Sequence, residues 1–187
     1  MTVECSEKET ELVEELLQRI ASDLSMITDR DLIVGASNVE RMGERPAGKG
    51  KVHISFRLGF EQEGDVHHGL LLVPLPDAIS LACYLMMMPD DGVKGKRSMK
   101  SIDDTLKDAM LEVGNFIGGA ADAALREASG ISAKVRSEGC QGVKSNVRPM
   151  MIYNEGEPLV VGKAKATVHE YPEFEMVLVL PELREDE

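Results

Sequence analysis

Asp108-Ala-Met-Leu-Glu112-Val-Gly-Asn115-Phe-Ile-Gly118-Gly119 places two carboxylates and a carboxamide at steps of four and three residues. Those steps bring all three onto one face of a helix. Ser101, Asp104, Gly119, Asp122 and Arg126 extend the stripe in both directions, and Leu106, Val113, Ile117, Ala120 and Ala124 fall across the cylinder from it. The segment reads as one long amphipathic helix from about Ile102 to Ala128, stopped by Ser129-Gly130. One side is built to be buried and the other to be displayed. Asn115 is the unusual member, because asparagine is a poor helix former and brings no packing gain in mid-helix. An acidic stripe is also what a plain solvated helix face looks like, so spacing alone leaves both readings open.

Upstream, Ser6 is a candidate cap, and Leu12, Val13, Leu16, Leu17, Ile20, Leu24 and Ile27 recur with helical period to about Thr28. An extended region follows from Leu32 towards Arg41. Gly43 to Gly50 has loop composition, Val52–Leu58 alternates as a half-buried strand, and after the turn Glu61–Asp65 an apolar run spans His68–Pro74. Pro76 and Asp77 open a short helix that Pro89-Asp90-Asp91-Gly92 is expected to end. Lys94 to Lys100 is the local basic cluster, read as a mobile connector. Beyond the long helix, residues 132–142 alternate loosely, and Leu159–Val168 and Glu173–Leu180 are clear strands joined by a turn at His169–Pro172. The tail, 182–187, is acidic and expected to fray.

Helix, three strands and short helix, then long helix and three strands, make two related halves, about 7–92 and 101–181. Strand meanders with helices packed on them define an α+β domain with an antiparallel or mixed sheet. The first helix carries Glu11, Glu15 and Gln18 at the offsets of Asp108, Glu112 and Asn115, a degenerate echo that common surface residues also produce by chance. Met176–Leu180 is apolar enough to be an exposed sheet edge, and it suggests a homodimer through that edge.

A chain of 187 residues suits one compact domain over 1–187. Its net charge of −12 argues against sequence-independent nucleic-acid binding, which needs a basic face. No window is apolar enough to span a membrane, and the N-terminus lacks an export pattern. Cys5, Cys83 and Cys140 are odd in number and widely spaced, which suits a reducing compartment, so a cytoplasmic protein is expected. The histidines lack metal spacing; His67 and His68, adjacent in a strand, point to opposite faces. No Ser-His-Asp signature, phosphate-cradling glycine loop or dinucleotide fingerprint is present. Met86-Met87-Met88 is read as core filling at a helix end.

At residues 108–119 the pattern Asp-Ala-x-x-Glu-x-x-Asn-x-x-Gly-Gly resembles the signature of the CheC, CheX and FliY chemotaxis phosphatases, above all the CheX-like branch. The similar layout covers most of residues 7–180, including a glycine, an apolar strand and a helix, Gly69 to Met88, before the signature helix. A proline that the family commonly carries some two dozen residues after the asparagine has its nearest candidate later, at Pro149. The resemblance implies a bacterial phosphatase of a phosphorylated CheY-type response regulator. It implies that Asn115 orients the attacking water and that Glu112 pairs with the regulator's active-site lysine. Asp108, Gly118, Gly119 and Asp122 would contact the partner, Asp108 as a helper charge and the glycines by keeping the surface low. The protein would need no cofactor of its own, because the regulator carries the Mg²⁺. A sheet-mediated dimer also resembles the CheX-like branch. The same resemblance admits a non-catalytic module that binds regulators or builds a flagellar switch, although the intact Glu-x-x-Asn pair favours the enzyme. A third reading is an anionic small molecule on the Lys94–Lys100 segment.

Overall fold

In the first helix, the Ser6 hydroxyl accepts the Glu9 N–H at 3.2 Å and the Glu9 carboxylate accepts the Ser6 N–H at 2.8 Å. This reciprocal box satisfies two donors that a helix start leaves orphaned. The computed structural model describes residues 3–128 and 130–187. In chain order the elements are β1 (Val3–Glu4), α1 (Glu7–Thr28), β2 (Leu32–Met42), β3 (His53–Gln62), β4 (Asp65–Pro74), α2 (Leu75–Leu85), α3 (Asp90–Lys96), α4 (Asp104–Ala128), β5 (Lys134–Val143), β6 (Leu159–Val168) and β7 (Phe174–Leu180). Gly130, in the expected stop after α4, is left-handed at φ 58°, whereas Ser129 lies outside the described residues.

Among the described residues the strands form one seven-stranded sheet in the order β1-β2-β6-β7-β4-β3-β5, with every neighbouring pair antiparallel. Exchanging β2 with β5, β3 with β6 and β4 with β7 reproduces the order of the six long strands in reverse. The two halves are therefore related by a pseudo-two-fold axis between β4 and β7. Each half contributes a hairpin, β3–β4 or β6–β7, and the other half's first strand pairs with its outer side.

Strand alternation sorts the core into two layers. Ile54, Phe56, Leu58 and Phe60 on β3, with Met176, Leu178 and Leu180 on β7, face α1, α2 and α4. Leu70, Leu72, Leu159, Val161, Val177 and Val179 form a smaller cluster on the reverse side, where Met151 and Tyr153 of the 144–158 segment pack over them. Both faces of the central strands are thus buried. No helix among the described residues is long and apolar enough to cross a membrane.

Three expectations are corrected. β7 is not an edge: Met176–Leu180 pairs with β4 and β6 at the centre of the sheet, its apolar run reflecting burial on both faces. The homodimer suggested for that strand has no free edge there. Pro89 begins a helix instead of ending one: α3 starts at Asp90, and the basic cluster lies on its last turn and the turn beyond. Arg97, within that cluster, donates to Asp77 Oδ1 at 3.1 Å and Ser80 Oγ at 2.6 Å, so its charge is neutralised inside the fold. Finally, the tail is tied down. The Gln62 amide exchanges two 2.8 Å hydrogen bonds with the backbone of Arg184, and Asp186 accepts from the N–H and hydroxyl of Ser132.

His53, 5% exposed at the start of β3, donates its Nδ1–H to the Lys51 carbonyl at 2.9 Å. Burial pushes its pKa below the ordinary 6.5, partly opposed by that backbone bond. The unfolded chain therefore takes up this proton first as pH falls. The stability from neutral, buried His53 is complete above about pH 6.5 and is lost as pH drops towards the folded value. The stability gap between wild type and His53→Asn is expected to narrow between pH 7 and pH 5.5 in urea titrations; a constant gap would refute this assignment.

Candidate functional site

α4 is anchored at its start by Asp103, whose carboxylate accepts the Leu106 N–H at 2.8 Å and whose carbonyl accepts the Lys107 N–H at 2.9 Å. Leu106, Val113, Ile117, Ala120 and Ala124 are buried, and the helix packs on β5, α1 and α2. The approach to β5 is very close. A Cβ on Gly118 would sit 2.8 Å from the Ser137 backbone nitrogen, and one on Gly114 would sit 3.2 Å from Ser137 Oγ. The glycines at these two positions, one turn apart, let the helix lie against strand backbone.

The expected partner-binding set is accordingly reduced. Gly118 lies under the helix against β5, where it sets packing distance and is hidden from a partner. Asp122 is engaged inside the fold: Oδ1 accepts the Val135 N–H at 2.9 Å and Oδ2 pairs with Arg126 at 2.8 Å. It holds the start of β5, as Ser25 Oγ holds the start of β2 by accepting the Leu32 N–H at 2.9 Å. Gly119, by contrast, is exposed, with nothing within 4 Å of an added Cβ.

Asp104, Asp108, Glu112 and Asn115 are all exposed along one face. Among the described residues, the side chains of Asp108, Glu112 and Asn115 have no hydrogen-bond or ion-pair partner. Three carboxylates at successive i,i+4 steps repel one another, each step costing roughly 0.2–0.5 kcal/mol. The stripe is a surface that the fold supports without using. Large apolar side chains flank it: Leu111 is 37% exposed, Phe116 38% and Met87 89%. An open cleft of about 560 Å³ runs between Leu85 and Met86 at the end of α2 and Asp108, Leu111 and Glu112 on α4.

Sequence reading missed these flanking groups. Leu111 falls on the polar half of the α4 wheel and Phe116 at its border, which was the available signal. Met87 was assigned to core filling, yet at φ 58° it turns out from the end of α2. The echo on α1 differs in kind. Glu11, Glu15 and Gln18 are exposed, but the Gln18 carboxamide donates to the Val34 carbonyl at 2.9 Å, where the β2–β6 register shifts. Among the described residues, no group of three or more His, Cys, Asp or Glu side chains is arranged to hold a metal ion.

No protein-family model matches the chain, and no curated protein does. Solved structures do match. FliY of Thermotoga maritima superposes with a TM-score of 0.69 at 18% identity, over 96% of this chain and 92% of that one. A chemotaxis protein CheX from Desulfovibrio desulfuricans matches with a TM-score of 0.57 at 18% identity, over 93% and 99%. The FliM middle domain from H. pylori gives 0.64 at 11%, over 95% and 94%. The α+β chain thus has the fold shared by FliY, CheX and CheC-like chemotaxis proteins, as the signature-helix resemblance implied.

The two neighbouring glycines offer a sharp contrast. Gly118→Ala forces a Cβ into β5 backbone and is expected to destabilise by about 1–3 kcal/mol. Gly119→Ala meets open space and should stabilise by roughly 0.5–1 kcal/mol through helix propensity. Urea unfolding of the two variants checks this; shifts of the same sign would contradict the packing described for α4.

Proposed function

We propose that this protein hydrolyses the aspartyl phosphate of a CheY-type response regulator, using the exposed face of α4. The observation that carries the reading is that Glu112 and Asn115 stand one turn apart on that face without intramolecular partners. The fold shared with CheX and CheC-like chemotaxis proteins supports it.

The Asn115 carboxamide enters the regulator's active site. Its oxygen accepts a hydrogen from water, and its N–H₂ donates to a phosphoryl oxygen, aligning the water opposite the leaving carboxylate. The water oxygen bonds to phosphorus as the bond to the aspartyl oxygen breaks, giving a free carboxylate and inorganic phosphate. The regulator's own Mg²⁺ supplies charge neutralisation. Glu112 pairs with the regulator's active-site lysine and fixes register. Asp108 adds a helper charge, Gly119 keeps the floor low, and Leu111 and Phe116 supply the desolvating rim.

A second reading, a non-catalytic regulator-binding or flagellar-switch module, is favoured by the similarity to FliM, which has been crystallised in a FliG–FliM complex. A phosphate-release assay separates the two. With a phosphorylated CheY-type receiver and Mg²⁺, the wild-type chain is expected to accelerate phosphate loss. Asn115→Ala should lower that acceleration by about 100-fold or more while still binding. Glu112→Ala and Phe116→Ser should weaken binding of the receiver. Binding without acceleration, unchanged by Asn115→Ala, would replace the phosphatase with the adaptor.

A further inference from the structure

On the sheet face opposite the main helical layer, Arg45 and Arg57 line a cavity of about 390 Å³ with His68, Glu138, Met150 and Ile152. Both guanidinium groups are incompletely satisfied. Arg45 donates through Nη1 to the Pro149 carbonyl and lies 5.2 Å from the Tyr153 ring centroid, while its buried Nε has no partner. The Arg57 Nε is also buried and unpartnered, and among the described residues the Arg57 side chain makes no ion pair or hydrogen bond. Two residues earlier on the same face of β3, the fully buried Ser55 Oγ lacks a partner as well. Among the described residues, these three are the buried side-chain polar atoms left unsatisfied, and all belong to this side of the sheet.

Glu138 lines the same cavity, but its Oε1 is 2.6 Å from His68 Nδ1, so that oxygen is already engaged. A half-buried guanidinium without an anion is costly, and this chain carries a net charge of −12 with carboxylates to spare. Arginine's planar fork matches carboxylate and phosphate oxygens. Counting Arg45, Arg57 and Glu138, the cavity has one net positive charge, and Met150, Met151 and Ile152 give it an apolar wall. Its volume lies within the ordinary range for small-ligand sites.

We propose that this cavity is a binding site for a small organic oxyanion. The charged head, a carboxylate or a phosphate monoester, lies at Arg57 and Arg45. An apolar body rests against the methionine and isoleucine wall. The site is separate from the α4 face and independent of the activity proposed for it.

Arginine Nε–H resonances of the full-length protein give a direct test. Benzoate and phenyl phosphate are titrated separately at millimolar concentration, with benzyl alcohol as the neutral control. At least one anion is expected to shift the Arg57 and Arg45 Nε–H signals saturably while the alcohol does not, and the responding arm identifies the head group. Arg57→Gln should weaken that binding by about tenfold or more, and Arg57→Lys, which keeps the charge without the fork, by an intermediate factor. Arg45→Gln serves the same purpose should Arg57→Gln fail to fold. No saturable shift with either anion, an equal response to benzyl alcohol, or affinity unchanged in the folded arginine variants would overturn the proposal.

Discussion

Neither half of this protein completes its sheet alone. β2 of the first half pairs with β6 of the second, and β5 of the second pairs with β3 of the first. The inner hairpins meet only through the short β4–β7 ladder, Leu70–Leu72 against Val177–Val179. The exchanged outer strands carry much longer ladders, so they join the halves into one sheet. On one face of the sheet each helix packs on the strand that follows it, and α1 and α4 also pack on each other. The position of α4 is therefore set by strand pairings distant in sequence, the class of contact that is entropically expensive to form.

This division explains what could be read from the chain. Periodicity reports which face of an element is buried, so α1, α4 and the strands around Phe56, Leu71, Ala164 and Val177 were legible, as was their repetition. Neighbour identity was not. Met176–Leu180 has the composition of a sticky edge because both its faces are covered, and sequence cannot distinguish an edge that needs protection from a centre that already has it. α3 was hidden because seven residues with two glycines carry little helical signal, and its stability depends on Val93 burial. The ordering of the tail depends on Gln62, 122 positions before Arg184. On α4, the exposed face shared by Asp108, Glu112, Asn115 and Gly119 was legible because helix spacing alone places them together. Gly118 and Asp122 were misassigned because their neighbours belong to β5.

The two long helices use their carboxamides differently. With α1 and α4 aligned on their acidic stripes, Ser25 corresponds to Asp122, and each accepts a backbone N–H near the start of its following strand. This shared anchoring is structural. Gln18 corresponds to Asn115 and is given a second anchoring task, holding the Val34 carbonyl beside the register shift in β2. Asn115 is relieved of that task, and Gly114 and Gly118 bring β5 close beneath it. What distinguishes the two stripes is thus which carboxamide is available, since both helices share the carboxylate spacing.

β5 also touches the reverse face. Ser137 lies against Gly114 and Gly118 under α4, while Glu138, the next residue, lines the arginine cavity. Strand alternation sends the two side chains to opposite sides. Gly139, at φ 93°, marks the irregularity where Arg57 falls between the paired residues Phe56 and Leu58. A bulge of this kind re-aims side chains without breaking the strand. It brings Glu138 to His68 and leaves Arg57 without an internal anion, while the helix-facing residue keeps α4 in place. The acidic stripe and the basic cavity consequently sit on opposite faces of one sheet, where neither neutralises the other.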